Sequence, residues 1–484
     1  MEAAPASPGT RQLAVNVLAG GTGNIVKVVI QIVMLPLMAR LLGPAEFGLF
    51  GLALPTVMFF TILADAGMGV SLARERTQST SLWSTAFWLM VGVGILLAII
   101  VTSWGFVIAQ ISGEPKIRSI MGTLSLSLIF LTLSVLPSAR ITQQGRLFIL
   151  VAADVTATMI GSAVAIIMAV YGAGAMSLAA QYVSTFLVRA VILNKCAFVR
   201  PTWEFNLSEI MPHMSLGASI ISGRLTELAG RLTENLIYGR MLGVAALGMF
   251  TFANQIPRFL SESASNPIWA ALYAHSLRDE GDGAAKVHLK LTFILSLILT
   301  PIAFILPPVL PILVDTLLGQ KWQEASTLLQ ILMPFYILSA ISAQSTAILL
   351  ARGMGWTIFK INLTSIIGRV VAVCLGVFIG PVAVVIGICI AYVLFSILVI
   401  VVSARCRVVQ VRPLLFNLTT TGCAAAVAGL GCWLILGLLP PTLLGAGLAM
   451  AGGLGLYGLI LIIIDGRRVV GEIRGIVTVL YQRP

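Results

Sequence analysis

The sequence predicts an all-α polytopic membrane protein with about fourteen transmembrane helices. They form two pseudo-symmetric six-helix lobes plus two C-terminal helices, with both termini cytoplasmic. Three observations carry this. Hydrophobic residues make up 58% of the 484 residues, charged residues 10%, and the mean hydropathy is +1.02; soluble domains carry about 25% charged residues. Apolar runs of spanning length recur from end to end. A segment near residue 40 repeats near residue 240 without a gap: Arg40-Leu-Leu-Gly43-Pro44-Ala45-Glu46-Phe-Gly48-Leu-Phe50 against Arg240-Met-Leu-Gly243-Val244-Ala245-Ala246-Leu-Gly248-Met-Phe250. A duplicated set of spanning helices is the plan of a transporter.

In chain order, a short N-terminus (1–13) shows no basic region before a brief apolar core, so no cleavable signal peptide is expected. The N-lobe (14–194) holds spans near 14–38, 47–73, 82–109, 118–137, 150–171 and 174–194. A polar linker, 195–210, leads to the C-lobe (211–404), with spans near 211–241, 245–275, 289–315, 325–351, 358–379 and 382–404. A loop (405–413), two more spans near 414–438 and 442–464, and a tail (465–484) complete the chain. Charge placement sets the orientation. Nineteen of the 30 Lys and Arg residues fall in segments that are cytoplasmic if the N-terminus is inside, and 5 fall in outer loops. The net charge of +12 is therefore read as topology, and no nucleic-acid partner is expected. The six cysteines form no CxxC pair, and the three histidines form no triad with Ser or Cys, so neither a cofactor nor a metal is expected. Trp83, Trp203, Trp322 and Trp356 lie near span ends, where an aromatic belt would place them.

The polar residues inside the spans are the candidate site. Arg224, Glu227, Arg231 and Glu234 are spaced to stack on one helix face. Facing lipid, four such charges would cost roughly 10–14 kcal/mol, so they face protein or a wet cavity. The repeat offset aligns Asn24, Lys27 and Gln31 with Arg224, Glu227 and Arg231. Two such stripes read as the walls of one cavity, or alternatively as ion pairs holding the lobes together, with Lys27 bonded to Glu227 or Glu234. Arg258 and Glu262 share a face beside Pro257, Arg369 is central in its span, and Asp65 lies in Leu-Ala-Asp65-Ala-Gly67. Arg189 is read as an anchor at the cytoplasmic face. The deep cations Lys27, Arg224, Arg231, Arg258 and Arg369 outnumber the deep acids Glu227, Glu234 and Glu262, which suits an anionic group such as a phosphate. The acids orient the arginines or accept coupling protons. Pro55, Pro257, Pro301 and Pro334 interrupt spans and are candidate bends.

The segment Met38–Phe50, followed by Ala64-Asp65-Ala-Gly67-Met-Gly69, resembles the polysaccharide-transporter (Wzx-type flippase) family of the multidrug/oligosaccharidyl-lipid/polysaccharide exporter superfamily. Over about residues 12–404 the two-lobed plan is similar to that superfamily's fold. The resemblance implies translocation of an undecaprenyl-pyrophosphate-linked oligosaccharide, an O-antigen or exopolysaccharide repeat unit, from the cytoplasmic to the periplasmic leaflet of the bacterial inner membrane. No covalent chemistry is required; besides the lipid bilayer, a glycan polymerase and a chain-length regulator are candidate partners, and H+ or Na+ is a candidate coupling ion. Asp65 alone of the candidate residues lies within the matching motif. The alternatives are a cation-coupled multidrug antiporter, a lipid II flippase, or a membrane glycan polymerase. An antiporter would want an acidic or aromatic pocket, and a polymerase a long outer loop.

Overall fold

A computed structural model describes residues 8–65, 68–74, 79–199, 201–203, 205–278 and 282–481; for 8–21, 24, 65, 70, 74, 207–224, 282, 465 and 467–481 it describes the backbone alone. No strand occurs among these residues. The chain divides into two compact units, 1–248 and 249–484.

The first unit contains α1 (Pro8–Asp65), α2 (Met68–Arg74), α3 (Thr80–Ser112), α4 (Lys116–Gln143), α5 (Leu147–Val170), α6 (Ala175–Ala197) and α7 (Leu207–Leu242). α1 is two helices joined at a kink, where Gly43 takes φ 77° and ψ 170°. α3 starts at Ser79, whose Oγ accepts from the Leu82 N–H at 3.3 Å, and ends at Gly113 in the left-handed region. α3 packs on α4, α4 on α6, α5 on α6 and α1, and α7 on α1 and α3.

Eleven helices among the described residues are long and apolar enough to cross a membrane. One of them, Ile25–Ala64, contains the Gly43 kink. Their exposed faces are apolar: on α3, Ile95, Leu96, Ile99, Trp104 and Val107 point outward while Leu97, Val101 and Ile108 are buried. An apolar surface of this extent is stable only against lipid. α8 (Val244–Ser276) is not among the eleven; Asn254, Gln255, Arg258, Glu262 and Asn266 lower its hydropathy.

The repeated motif makes a reciprocal contact inside the first unit. A Cβ at Gly48 would collide with the Val244 carbonyl oxygen, and one at Gly248 with the Pro44 carbonyl oxygen; the same Cβ would lie 2.9 Å from the other glycine's nitrogen in each case. Residue 44 meets 248 and residue 48 meets 244, the signature of a local two-fold axis. The two copies differ at Glu46. Its carboxylate accepts from Lys116 Nζ at 2.7 Å and from the Ala175 N–H at 2.8 Å, clasping α4 and the first turn of α6. The second copy has Ala246 at that place and cannot make this clasp.

The second unit contains α9 (Asp282–Ile305), α10 (Leu310–Leu318), α11 (Gln323–Ser342), α12 (Ser345–Ala351), α13 (Gly355–Gly376), α14 (Pro381–Arg405), α15 (Val411–Leu438) and α16 (Leu443–Tyr481). Small residues let α15 approach α9 closely: Ala424, Ala425, Ala428 and Cys432 pack with Phe293, Ile305 and Val309. Trp322, expected in the aromatic belt, is 1% exposed and packs against Phe252 at 5.0 Å between ring centroids. Its place near a span end does not keep it at the interface, because Phe252 offers an apolar partner. Trp203 and Trp356 are exposed, as belt residues would be. All six cysteines are free.

The motif contact predicts that Gly48→Ala and Gly248→Ala each destabilise the protein by about 1–3 kcal/mol through overpacking. Gly92→Ala, where the added Cβ meets nothing within 4 Å, should leave the melting temperature unchanged or slightly raised. Thermal unfolding of the detergent-solubilised variants, followed by fluorescence size-exclusion, checks this.

Candidate functional site

Three helices of the first unit bring a carboxylate between two cations. Asp154 on α5 accepts from Lys27 Nζ through Oδ2 at 2.7 Å and from Arg189 Nε through Oδ1 at 2.7 Å. Arg189 also donates through Nη1 to Ser134 Oγ on α4 at 3.0 Å. The local sequence explains the approach of α1 to α5. A Cβ at Gly23 would collide with the Val151 side chain, so only glycine lets the helices come this close. One turn further along α1 is Lys27, and three residues further along α5 is Asp154.

Asp154 lies seven residues inside α5 and Arg189 eight residues before the end of α6, which puts them about 10–12 Å along their helices from the start of α5 and the end of α6. At that depth a bare charge facing lipid costs several kcal/mol. The side chains of Lys27, Asp154 and Arg189 are nevertheless 30%, 30% and 24% exposed. Exposure of charges at this depth is compatible with a bilayer only if the space beside them is wet. The triad carries net charge +1. Its bonds occupy one of the three Lys27 donors and two of the five Arg189 donors.

Of the expected stripe on α7, Arg231 Nε donates to Glu227 Oε1 at 3.2 Å, and both remain partly exposed. Glu234 is buried, with 3% exposure. Gln31, one turn beyond Lys27, is exposed. The side chains of Asn24, Asp65 and Arg224 lie outside the described residues. In the second unit Arg258 is half-buried and Glu262 exposed. Arg369 is 6% exposed, its guanidinium carbon 5.8 Å from the Tyr392 ring centroid, a cation–π arrangement. Tyr336 packs edge-on against Tyr392 at 5.2 Å.

Two expectations change. Lys27, for which Glu227 or Glu234 was the alternative partner, bonds to Asp154. Arg189, expected to reach the cytoplasmic face, turns inward to Asp154 and Ser134, because a carboxylate at 2.7 Å holds it better than snorkelling would. Asp154 escaped the sequence reading altogether. The signal was present: one acid stands in the apolar run Leu147-Phe-Ile-Leu-Val-Ala-Ala-Asp154-Val-Thr-Ala, and an ionisable residue within a span is a site candidate by default.

A family model described as "Polysaccharide biosynthesis protein" matches residues 37–327. The chain belongs to this family. Among curated relatives, it is 22% identical over 397 residues to the lipopolysaccharide biosynthesis protein WzxC of Escherichia coli K12, covering 81% of this chain and 79% of the relative. It is 22% identical over 312 residues to the succinoglycan biosynthesis transport protein ExoT of Rhizobium meliloti, covering 63% and 62%. It is 25% identical over 338 residues to the teichuronic acid biosynthesis protein TuaB of Bacillus subtilis, covering 67% and 68%. The fold matches a lipid II flippase MurJ structure in an inward closed conformation with TM-score 0.72 and 10% identity, over 94% of this chain and all of the other. It also matches an inward-facing multidrug resistance transporter of the MOP superfamily with TM-score 0.62 and 16% identity, over 80% and 98%. This member of the polysaccharide biosynthesis family is thus a multi-pass protein of the bacterial inner membrane. The family match includes Asp154, Arg189 and Arg231; Lys27 and Arg369 lie outside it.

The triad geometry predicts a stability pattern. Asp154→Ala leaves two cations facing each other and should destabilise by about 1–3 kcal/mol, discounted from a fully buried pair because the groups are part exposed. Adding Lys27→Met to Asp154→Ala should recover part of that loss, a non-additivity that a double-mutant cycle of melting temperatures reads directly.

Proposed function

We propose that this protein is a flippase that moves an undecaprenyl-pyrophosphate-linked oligosaccharide, an O-antigen or exopolysaccharide repeat unit, from the cytoplasmic to the periplasmic leaflet by alternating access. The observation that carries the reading is the Lys27–Asp154–Arg189 triad, a partly exposed cluster of net positive charge within the spans. Arginine and lysine donors in that setting suit a phosphate group, and a wet, cationic recess lets a polar head group cross while its lipid tail stays in the bilayer. The names of the relatives in lipopolysaccharide, succinoglycan and teichuronic acid biosynthesis support a glycan cargo. The reading needs no covalent step and no resident cofactor, and it makes the protein a transporter.

On this account the chain crosses the membrane fourteen times with both termini cytoplasmic. Ile25–Ala64 counts as two crossings, and α7 and α8 add two more to the apolar set. In the first unit Lys27 and Arg231, with Arg189 joined to them, serve the anion, and Asn24, Gln31 and Arg224 line the same path; Arg258 and Arg369 are the second unit's own candidates for an anion. Glu227, Glu234, Glu262 and Asp65 pair with those cations or carry H+ or Na+ coupling. A glycan polymerase and a chain-length regulator act on the product. The excess of cations argues against a cation-coupled drug antiporter, whose ligands carry the same sign.

The test is complementation of a bacterial strain lacking its own O-antigen or exopolysaccharide flippase, at matched membrane levels. Wild type should restore surface glycan. Lys27→Ala, Arg189→Ala and Arg231→Ala should each lower it roughly 10- to 100-fold, the value of one charge-assisted hydrogen bond. Lys321→Ala, on an exposed outer turn, should not. No restoration in strains making several different glycans would defeat the reading.

A further inference from the structure

Asp154 divides its carboxylate between the two cations. Each carboxylate oxygen takes a different one, Oδ2 from Lys27 and Oδ1 from Arg189, both at 2.7 Å. A phosphate offers pairs of oxygens at much the same spacing and with more charge, and its binding to lysine and arginine uses the same donors. We propose that Asp154 is a built-in stand-in for the phosphate of the cargo: it occupies Lys27 and Arg189 in the empty protein and is displaced from them when a phosphate arrives. The proposal rests on the flippase reading and adds an exchange step that the reading does not require.

Three features of the site support the exchange. The three side chains sit on separate helices, α1, α5 and α6, so the carboxylate can leave without breaking any one helix. All three are partly exposed, so an anion reaches them from water, and a displaced Asp154 regains water. The cations have donors beyond those Asp154 and Ser134 use, so a phosphate can engage them before the carboxylate has gone. Exchange also solves an energetic difficulty. Two cations inside a bilayer are costly when uncompensated, and removing one partner of a desolvated pair is strongly destabilising. With Asp154 in place they are compensated in the empty protein as well as the loaded one. Competition from Asp154 lowers the affinity for cargo, and a carrier must bind weakly enough to release. Because Lys27 ties α1 to α5 only through Asp154, displacement also loosens that tie when cargo is bound.

Full-length protein in nanodiscs would be titrated with inorganic pyrophosphate and, separately, with geranyl pyrophosphate. Asp154→Asn, which keeps the shape and removes the competing charge, should bind both about tenfold more tightly than wild type, a difference of about 1.4 kcal/mol. Lys27→Gln and Arg189→Gln should bind both more weakly. Binding by wild type with equal or weaker binding by Asp154→Asn overturns the exchange while leaving the flippase reading standing. No binding of either ligand by wild type or Asp154→Asn overturns both. Geranyl pyrophosphate should bind more tightly than inorganic pyrophosphate, since the anion arrives on a lipid; equal affinities count against a lipid-borne source. A measurement on wild type alone guards against a variant that fails to fold. Modification of Asp154 by a water-soluble carbodiimide, read by peptide mass spectrometry as a ratio to exposed Glu324 because pyrophosphate itself consumes the reagent, should rise when pyrophosphate is added. Unchanged or reduced modification means the carboxylate stays on its cations and defeats the proposal.

Discussion

A charge that a helix carries into a bilayer must find either an opposite charge or water, and this protein satisfies that requirement with both at once. Asp154 supplies the opposite charge to Lys27 and Arg189, and their partial exposure supplies the water. Much of the first unit follows from it. α1 must run close to α5 for the lysine to reach, which is why Gly23 faces Val151. α4 contributes Ser134 to a second donor of Arg189, so four helices meet in one polar cluster. Elsewhere the spans turn aliphatic faces outward, which costs nothing in lipid and gives no reason for a charge to be there.

The same constraint separates the two ends of the unit. At one end Glu46 holds Lys116 and the start of α6 at positions reachable by solvent, an arrangement that fastens helix ends. Deeper, the triad balances to a net positive charge, and that residue of charge is what a structural fastening would avoid. The motif around Glu46 therefore belongs to the architecture, and on the proposed reading the triad serves the passage of an anion. The reciprocal meeting of Gly48 with Val244 and of Gly248 with Pro44 places the repeat's local two-fold within the first unit, where small residues allow backbones to touch.

Most of the fold was legible in the chain. Apolar runs and the 200-residue repeat each have a direct physical meaning in lipid, and the helices follow them. The site was legible by type and only partly by partner. Lys27, Glu227 and Arg231 stand out because charges in spans are rare, and the Glu227–Arg231 pair follows from helical spacing alone. The pairing of Lys27 with Asp154 joins residues 127 apart and depends on how α1 packs on α5, which periodicity does not encode. Arg189 misled for a related reason: its distance from the helix end permits snorkelling, and only the neighbouring carboxylate decides otherwise. Trp322 shows the same limit, since a tryptophan at a span end becomes core when Phe252 happens to face it.

The central claim is that the polar stripe of α1 opens onto a wet space whose field favours anions, and the reactivity of a single cysteine reports it most directly. In a variant with the six native cysteines replaced, Gln31→Cys would be labelled with small thiol reagents of opposite charge, one a sulfonate and one a quaternary ammonium, with Ile32→Cys on the exposed apolar side of the same helix as reference. The account predicts that Gln31→Cys reacts, that the sulfonate reacts faster than the ammonium reagent, and that Lys27→Gln reduces the preference; Ile32→Cys should stay nearly inert. Faster reaction with the ammonium reagent, or equal inertness at both positions, would contradict a wet cationic passage.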